Sequence, residues 1–281
     1  MRERAGAPAT SGAKRGHRDE RQHAVMTELW LVDLDRAAPA LEALERETPR
    51  LGPDDRARAM RGADAHERRH RLAAYMALRI LLERACGPAI RGRKLLRGPS
   101  GKPHLGPDAP GFSLAHIDGL ALIAMAPVGA VGVDLERPRR LHVSSRRRDE
   151  ILAVGVGLGG PLGTRTSHDP HEEEALLRAW CRLEAFAKAH GGGISHLLTE
   201  IGIRGPDGRQ LPLVRIEGAA HRLAQRDRLE IADLAMPPGL LAAVAAPEHP
   251  RSRQPRPFPA ETTAIARIAE ARTAPRRAPA G

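Results

Sequence analysis

Gly132-Val133-Asp134-Leu135-Glu136 is an apolar run that carries two carboxylates two residues apart. Read as a strand, it sends alternate side chains to opposite faces, so Asp134 and Glu136 share a side. Two neighbouring carboxylates repel each other and are costly to desolvate, so a positive group is expected between them. A hard divalent cation such as Mg²⁺ suits oxygen ligands of this kind. The same spacing also describes a strand leaving the core with two solvated acids, and the pair alone favours that plainer reading.

Downstream, Asp169-Pro170-His171-Glu172 reads as a helix start, with Asp169 as N-cap and Pro at the first helical position. The helix runs to about His190 and stops at Gly191-Gly192-Gly193. Trp180, Glu184 and Lys188 are spaced by four along it and stack on one stripe. On spacing alone, Glu184 and Lys188 are an ordinary surface pair worth ~0.3–0.5 kcal/mol.

Upstream, Arg97 to Pro103 is a Gly/Pro loop holding Lys102 between Gly101 and Pro103, without the spacing of a P-loop. Phe112 to His116 and Leu120 to Met125 read as strands joined by the hairpin turn Asp118-Gly119, and Val131 to Glu136 follows as a third strand. His116 by itself is more often a structural histidine than a ligand or catalyst. Asp64 to Cys86 predicts a long helix with Leu72, Tyr75, Leu78 and Leu82 on one stripe. Arg68, Arg71 and Arg79 fall on its other faces, where a solvated surface is the ordinary expectation and a phosphate site the minority one.

The remaining elements are a strand from Leu29 to Leu34, a helix from Pro39 to Glu47, and a basic helical connector from Leu141 to Glu150. A mobile Gly-rich stretch is expected from Gly155 to Ser167. Further strands are expected over Glu200 to Arg204, Leu211 to Glu217, Arg228 to Leu234 and Leu240 to Ala246. A long helix followed by strands occurs twice, around 64–125 and 170–246. Translation is expected to start at Met26, immediately before the first apolar run; the intact mass of the native protein tests this.

Aromatic residues make up only 2% of the 281, so the core must be built from Leu, Ala, Val and Ile. Two cysteines, Cys86 and Cys181, form neither a disulfide framework nor a zinc spacing and fit a reducing, cytoplasmic setting. No apolar run reaches the ~18 residues of a membrane span. The net charge of +11 raises nucleic acid as a partner. Residues 1–25 carry six Lys/Arg against three Asp/Glu, and residues 248–281 seven against three, so most of the excess sits on terminal segments. Few aromatics also leave few platforms for base stacking, so nucleic acid is disfavoured.

In order, a Gly-Lys-Pro loop, a Phe-Ser-Leu-Ala-His strand, Gly-Val-Asp-Leu-Glu, and a helix reading Trp-Cys-Arg-Leu-Glu-Ala-Phe-Ala-Lys resemble the 4′-phosphopantetheinyl transferase superfamily, in its long, monomeric, two-half branch. The resemblance covers about 28–247. It implies an α+β fold of two similar α/β halves in pseudo-twofold arrangement, with coenzyme A between them. The division expected is a disordered basic leader over 1–25, halves over 26–125 and 126–247, and a disordered tail over 248–281. The resemblance also implies Mg²⁺ held by Asp134, Glu136 and Glu184. It implies coenzyme A contacts from Lys102, Pro103, His116, Lys188 and Arg71, and catalytic roles for Glu184, Lys188 and His116. The implied reaction moves the phosphopantetheine arm of coenzyme A to a serine of an apo acyl or peptidyl carrier protein.

Three positions depart from the family pattern: Leu183 replaces a Lys, Ala115 a Ser, and Ile117 another Ser. Loss of Ser would remove a phosphate hydrogen bond worth ~1.5–3 kcal/mol. Arg182 is expected to stand in partly for the lost Lys. These departures motivate the alternative of an inactive relative that binds carrier proteins without transferring anything.

Overall fold

The computed structural model describes residues 26–107, 109–162, 170–203, 211–248, 250 and 252–271. The expected leader over 1–25 and the Asp169 cap lie outside the described residues. The chain runs β1 (Glu28–Asp33), α1 (Leu34–Glu47), α2 (Pro53–Ala59), α3 (Ala65–Cys86), β2 (Leu96–Arg97), β3 (Pro103–His104), β4 (Gly111–Ile117), β5 (Leu120–Ala126), β6 (Gly132–Glu136), α4 (Ser145–Gly159), α5 (Pro170–His190), α6 (Gly193–Glu200), α7 (Leu213–Arg226), β7 (Glu230–Asp233), β8 (Leu241–Ala246), β9 (Arg256–Pro257) and α8 (Thr262–Glu270). None of these helices is long and apolar enough to cross a membrane.

The fold is α+β. One sheet has the order β4-β5-β1-β9 and another β6-β8-β7. Their inner faces meet in a buried layer of Ala115, Leu122, Ala124, Val133, Leu135, Ala242 and Val244. The outer face of the first sheet is covered by α1 and α3, with Val32, Leu41, Leu78 and Ile123 between them, and α8 packs against both helices. The outer face of the second is covered by α5 and α4, with α7 packed against α4, and Ile151, Leu183, Ile216 and Ala243 lie in this core. Strand alternation explains the sorting on β6. Val133 and Leu135 enter the layer between the sheets, which leaves Asp134 and Glu136 on the helix side, opposite Ala243 and Leu241 of β8.

Several sequence expectations need correction. The segment after residue 248 is not a disordered tail throughout. β9 adds in parallel to β1, with Phe258 N–H donating to Leu31 C=O at 2.8 Å. Phe258 packs edge-on against Trp30 with centroids 6.1 Å apart, and Ile265 of α8 is fully buried. Ala266, Ile268 and Ala269 pack beside them on the same core, and the free edge of β1 supplies the backbone partners of β9.

The Gly-rich stretch expected to be mobile is helical as far as Gly159. A Cβ at Gly155 would lie 2.4 Å from Ala179 Cβ, and one at Gly157 would lie 2.3 Å from Glu217 O. These glycines let α4 pack closely on α5 and α7. Residues 163–169 lie outside the described residues.

Leu211 to Glu217 is not a strand: α7 buries Ile216, Ala220, Leu223 and Ala224 on one helical face. Glu200 ends α6, and Ile201 to Ile203 form a buried turn rather than a strand. Arg79 is not on a solvated face. It is 2% exposed and paired with the equally buried Asp55 of α2, a helix the sequence reading did not find.

Candidate functional site

β4 and β6 are both edge strands, and they meet at a seam where Ser113 Oγ accepts from Val133 N–H at 3.1 Å. On the helix side of the seam, β6 lies directly on α5. A Cβ at Gly132 would sit 1.9 Å from Ala185 O and 2.5 Å from Ala189 N, so only glycine permits this approach. The contact brings the carboxylates of β6 to the stripe of α5 that carries Glu184 and Lys188.

Lys188 Nζ donates to Asp134 Oδ1 at 2.7 Å. Asp134 is 7% exposed, and its second oxygen, Oδ2, is buried with no hydrogen-bond partner among the described residues. Glu136 is gripped by the fork of Arg139 at 2.9 and 2.7 Å. The positive partner expected between the two acids is thus two separate cations, one for each. Arg139 was not among the sequence candidates; its signal is the three-residue step from Glu136, which permits a local bidentate pair.

Burial, reinforced by Glu136, pushes the Asp134 carboxyl above its ordinary value in spite of Lys188. Burial also raises Glu184, with Asp134 and Glu136 adding to the effect and Lys188 opposing it. The three acids therefore feel one another across β6 and α5. Their donor atoms are not drawn to ligand spacing: among the described residues, the triplets within 4.8 Å are Asp35–His66–His70 and His190–His196–Glu200. Lys188 and Arg139 pull Asp134 and Glu136 toward different cations. The donor set is oxygen only, and the buried, unpartnered Oδ2 of Asp134 is an acceptor that lacks a donor. Both features fit a hard divalent cation.

His116 projects from β4 on the α3 side and is reached by solvent, yet it is flanked by protein. That desolvation, followed by the Arg71 guanidinium and then Lys188, holds its imidazole below the usual histidine value. Arg71 of α3 is therefore within electrostatic reach of His116, and it is itself paired with Glu67. Lys102 takes a different posture from the phosphate contact implied for it. Its ammonium donates to the backbone carbonyls of Val131 at 2.9 Å and Ala189 at 3.4 Å, and burial lowers its pKa to about 8. Lys102 and Pro103 line a cleft of about 470 Å³ together with Phe112, His190 and Gly191. The loop is also tied to the end of α5 by Ser100, whose hydroxyl donates to Gly191 C=O.

Two departures from the family pattern acquire a structural reason. Leu183 is fully buried in the core under α5, and Ala115 is 5% exposed in the layer between the sheets. Both positions face apolar neighbours here. Arg182 does not stand in for the missing Lys. It is 4% exposed and forks onto Asp233 with two 2.8 Å bonds while donating to Gly155 and Gly160 C=O, so its charge is spent inside the α4–α5–β7 packing. Cys181 is a neighbour of the site that the sequence reading passed over. Burial and the charges of Asp134 and Glu136 push its thiol pKa up, so it stays protonated and inert.

No family model matches the chain. Two curated relatives do. A protein of Synechocystis sp., slr0495, provisionally named a 4′-phosphopantetheinyl transferase, is 29% identical over 184 residues, covering 62% of this chain and 68% of the relative. The 4′-phosphopantetheinyl transferase HetI of Nostoc sp. is 30% identical over 174 residues, covering 60% of this chain and 70% of the relative.

Proposed function

Because this chain belongs to the 4′-phosphopantetheinyl transferase superfamily, we propose that it moves the phosphopantetheine arm of coenzyme A to a serine of an apo acyl or peptidyl carrier protein, with Mg²⁺, as a cytoplasmic monomer. The observation that carries this reading is the convergence of Asp134, Glu136, Glu184 and Lys188 at the β6–α5 contact, with His116 and Arg71 within electrostatic reach.

The reaction is attack of the carrier serine hydroxyl on the β-phosphorus of coenzyme A. The bridging P–O bond breaks, and adenosine 3′,5′-bisphosphate leaves. Such phosphoryl chemistry needs alignment and charge neutralisation more than covalent help. Asp134, Glu136 and Glu184 would hold Mg²⁺, which neutralises pyrophosphate charge when bound. Lys188 and His116 supply donors to the phosphate oxygens and to the charge that develops on the leaving group. Glu184 takes the proton of the serine hydroxyl, a role its raised pKa favours. Arg71 sits on the α3 side as an anchor for a further phosphate. Lys102, held by two carbonyls, and Pro103 give the cleft a firm wall for the nucleotide end.

Purified protein incubated with Mg²⁺, coenzyme A and a panel of apo carrier proteins should add the arm's mass to at least one carrier. Asp134→Ala should lose the labelling while keeping its circular dichroism spectrum. Failure to label any carrier would favour a relative that binds carriers without transferring, and activity in Asp134→Ala would remove Asp134 from the metal set.

A further inference from the structure

Beyond the transferase site, three side chains converge where α5 ends. His190 closes α5, and His196 and Glu200 stand one turn apart on α6, past the triglycine turn. Their donor atoms all lie within 4.8 Å of one another. His190 Nε2 is 2.8 Å from Glu200 Oε2, and His196 Nε2 is 3.7 Å from the same oxygen. Two ligands each about 2.1 Å from one ion lie at most ~4.2 Å apart, so both pairs already meet that limit. The two imidazole rings are nearly parallel, at 20°, with centroids 5.9 Å apart.

The far side of His190 is equally specific. Its Nδ1 lies 2.6 Å from Asp227 Oδ2. A neutral imidazole has one N–H and cannot donate to Asp227 and Glu200 together. With that N–H given to Asp227, Nε2 presents a lone pair toward Glu200, and a cation must sit between them: a proton, or a metal ion. A carboxylate fixing the tautomer from behind is the usual support of a metal-binding histidine. Glu200 divides its oxygens accordingly, with Oε1 facing Arg226 at 3.4 Å and Oε2 facing the imidazoles. Arg226 also pairs with Asp227 at 2.9 Å, so both acids keep a counter-charge without giving up the oxygens that face His190. The other triplet, Asp35–His66–His70, lacks this logic. There His70 Nδ1 accepts from Gly119 N–H at 3.2 Å, which leaves the ring N–H on Nε2, facing Asp35.

We propose that His190, His196 and Glu200, supported by Asp227, form a binding site for a first-row divalent cation of the Zn²⁺ type, with a further coordination position open to solvent. Two imidazoles and one carboxylate suit Zn²⁺ and not Mg²⁺, so the ligand chemistry separates this site from the acids of β6. His190 and Gly191 also line the cleft beside Lys102. A bound ion therefore ties α6 to α5 and stiffens that wall.

The full chain, stripped with EDTA and dialysed, is titrated with Zn²⁺ against a chromophoric chelator, and with Co²⁺ as a spectroscopic probe. One equivalent of Zn²⁺ should bind, and Co²⁺ should develop saturable d–d absorption. His196→Ala and Glu200→Gln, both at exposed positions, should each lower affinity at least ~10-fold, and Asp227→Asn by ~10–100-fold. Asp134→Asn should bind Zn²⁺ like the wild type, whatever its effect on arm transfer. The proposal is overturned if the wild type takes up no stoichiometric Zn²⁺, or if His196→Ala and Glu200→Gln bind it as tightly as the wild type.

Discussion

Lys188 Nζ lies 2.7 Å from Asp134 Oδ1, joining the last turns of α5 to the middle of β6 across 54 residues of sequence. Lys188 opposes the burial that raises the carboxyl of Asp134, the most buried of the three site acids, and under the proposed reaction it would meet phosphate charge there. Lys188→Ala should slow arm transfer by ~10²–10³-fold, the range for removing one preorganised donor from a reacting phosphate or oxyanion. Lys188→Arg should recover part of the rate. Initial rates of holo-carrier formation, followed by mass spectrometry, check this; an unchanged rate in Lys188→Ala would remove the residue from the reaction.

Gly132 makes that pairing possible, because a methyl there would meet the Ala185 carbonyl at 1.9 Å. Gly132→Ala should therefore push β6 off α5. Overpacking of this kind costs ~1–3 kcal/mol, or about 2–4 °C of Tm per kcal/mol in a chain of this size. Transfer should fall further than stability, since the acids of β6 move away from Lys188. Calorimetry and rate assays on the same preparation separate the two effects.

Glu184 carries a pH signature. Its raised carboxyl binds a proton more tightly in the folded chain than in the unfolded one. Ionising it therefore costs stability, and the cost grows as pH rises from the ordinary carboxylate range near ~4.3 through the raised value, then levels off. Glutamine has no such cost. In metal-free buffer, Glu184→Gln should melt above the wild type at pH 7.5, with the gap closing toward pH 4. Mg²⁺ should raise the melting temperature of the wild type more than that of the variant. Parallel melting curves across the pH range would contradict this account.

Phe258 anchors the returning C-terminal segment against Trp30 and is 6% exposed. Phe258→Ala should destabilise the chain by about 3–5 kcal/mol, as for other buried aromatic truncations. Removal of everything after residue 255 should do at least as much, because it also uncovers the β1 edge and the pocket filled by Ile265. Urea unfolding measures both; a truncated chain as stable as the full one would mean that the segment does not hold the first sheet.

Local periodicity carried much of the fold. Strand alternation put Asp134 and Glu136 on one face, the four-residue step put Glu184 and Lys188 on one stripe, and Asp118-Gly119 turned β4 into β5, with Gly119 at φ +75°. It failed where a residue's role depends on its neighbours in space. Leu211 to Glu217 passes for a strand by its apolar content, yet α7 begins at Leu213 and buries Ile216, Ala220 and Leu223 on one helical face. The glycines of α4 read as flexibility until Ala179 and Glu217 are seen against them.

The order of residue types along the chain identified the superfamily on its own: two acids at a strand spacing, an acid and a lysine at a helical one, and the loop and strand motifs, taken together in sequence. Hydrogen-bond geometry repeats locally, so one sequence suffices to read such spacings. Only the tertiary structure decided which charge meets which. It gave Asp134 to Lys188 and Glu136 to Arg139, spent Arg182 on Asp233, turned Leu183 into the core, and set Lys102 on two carbonyls. Those outcomes depend on distance and burial between segments far apart along the chain, and an electrostatic interaction takes its strength from both.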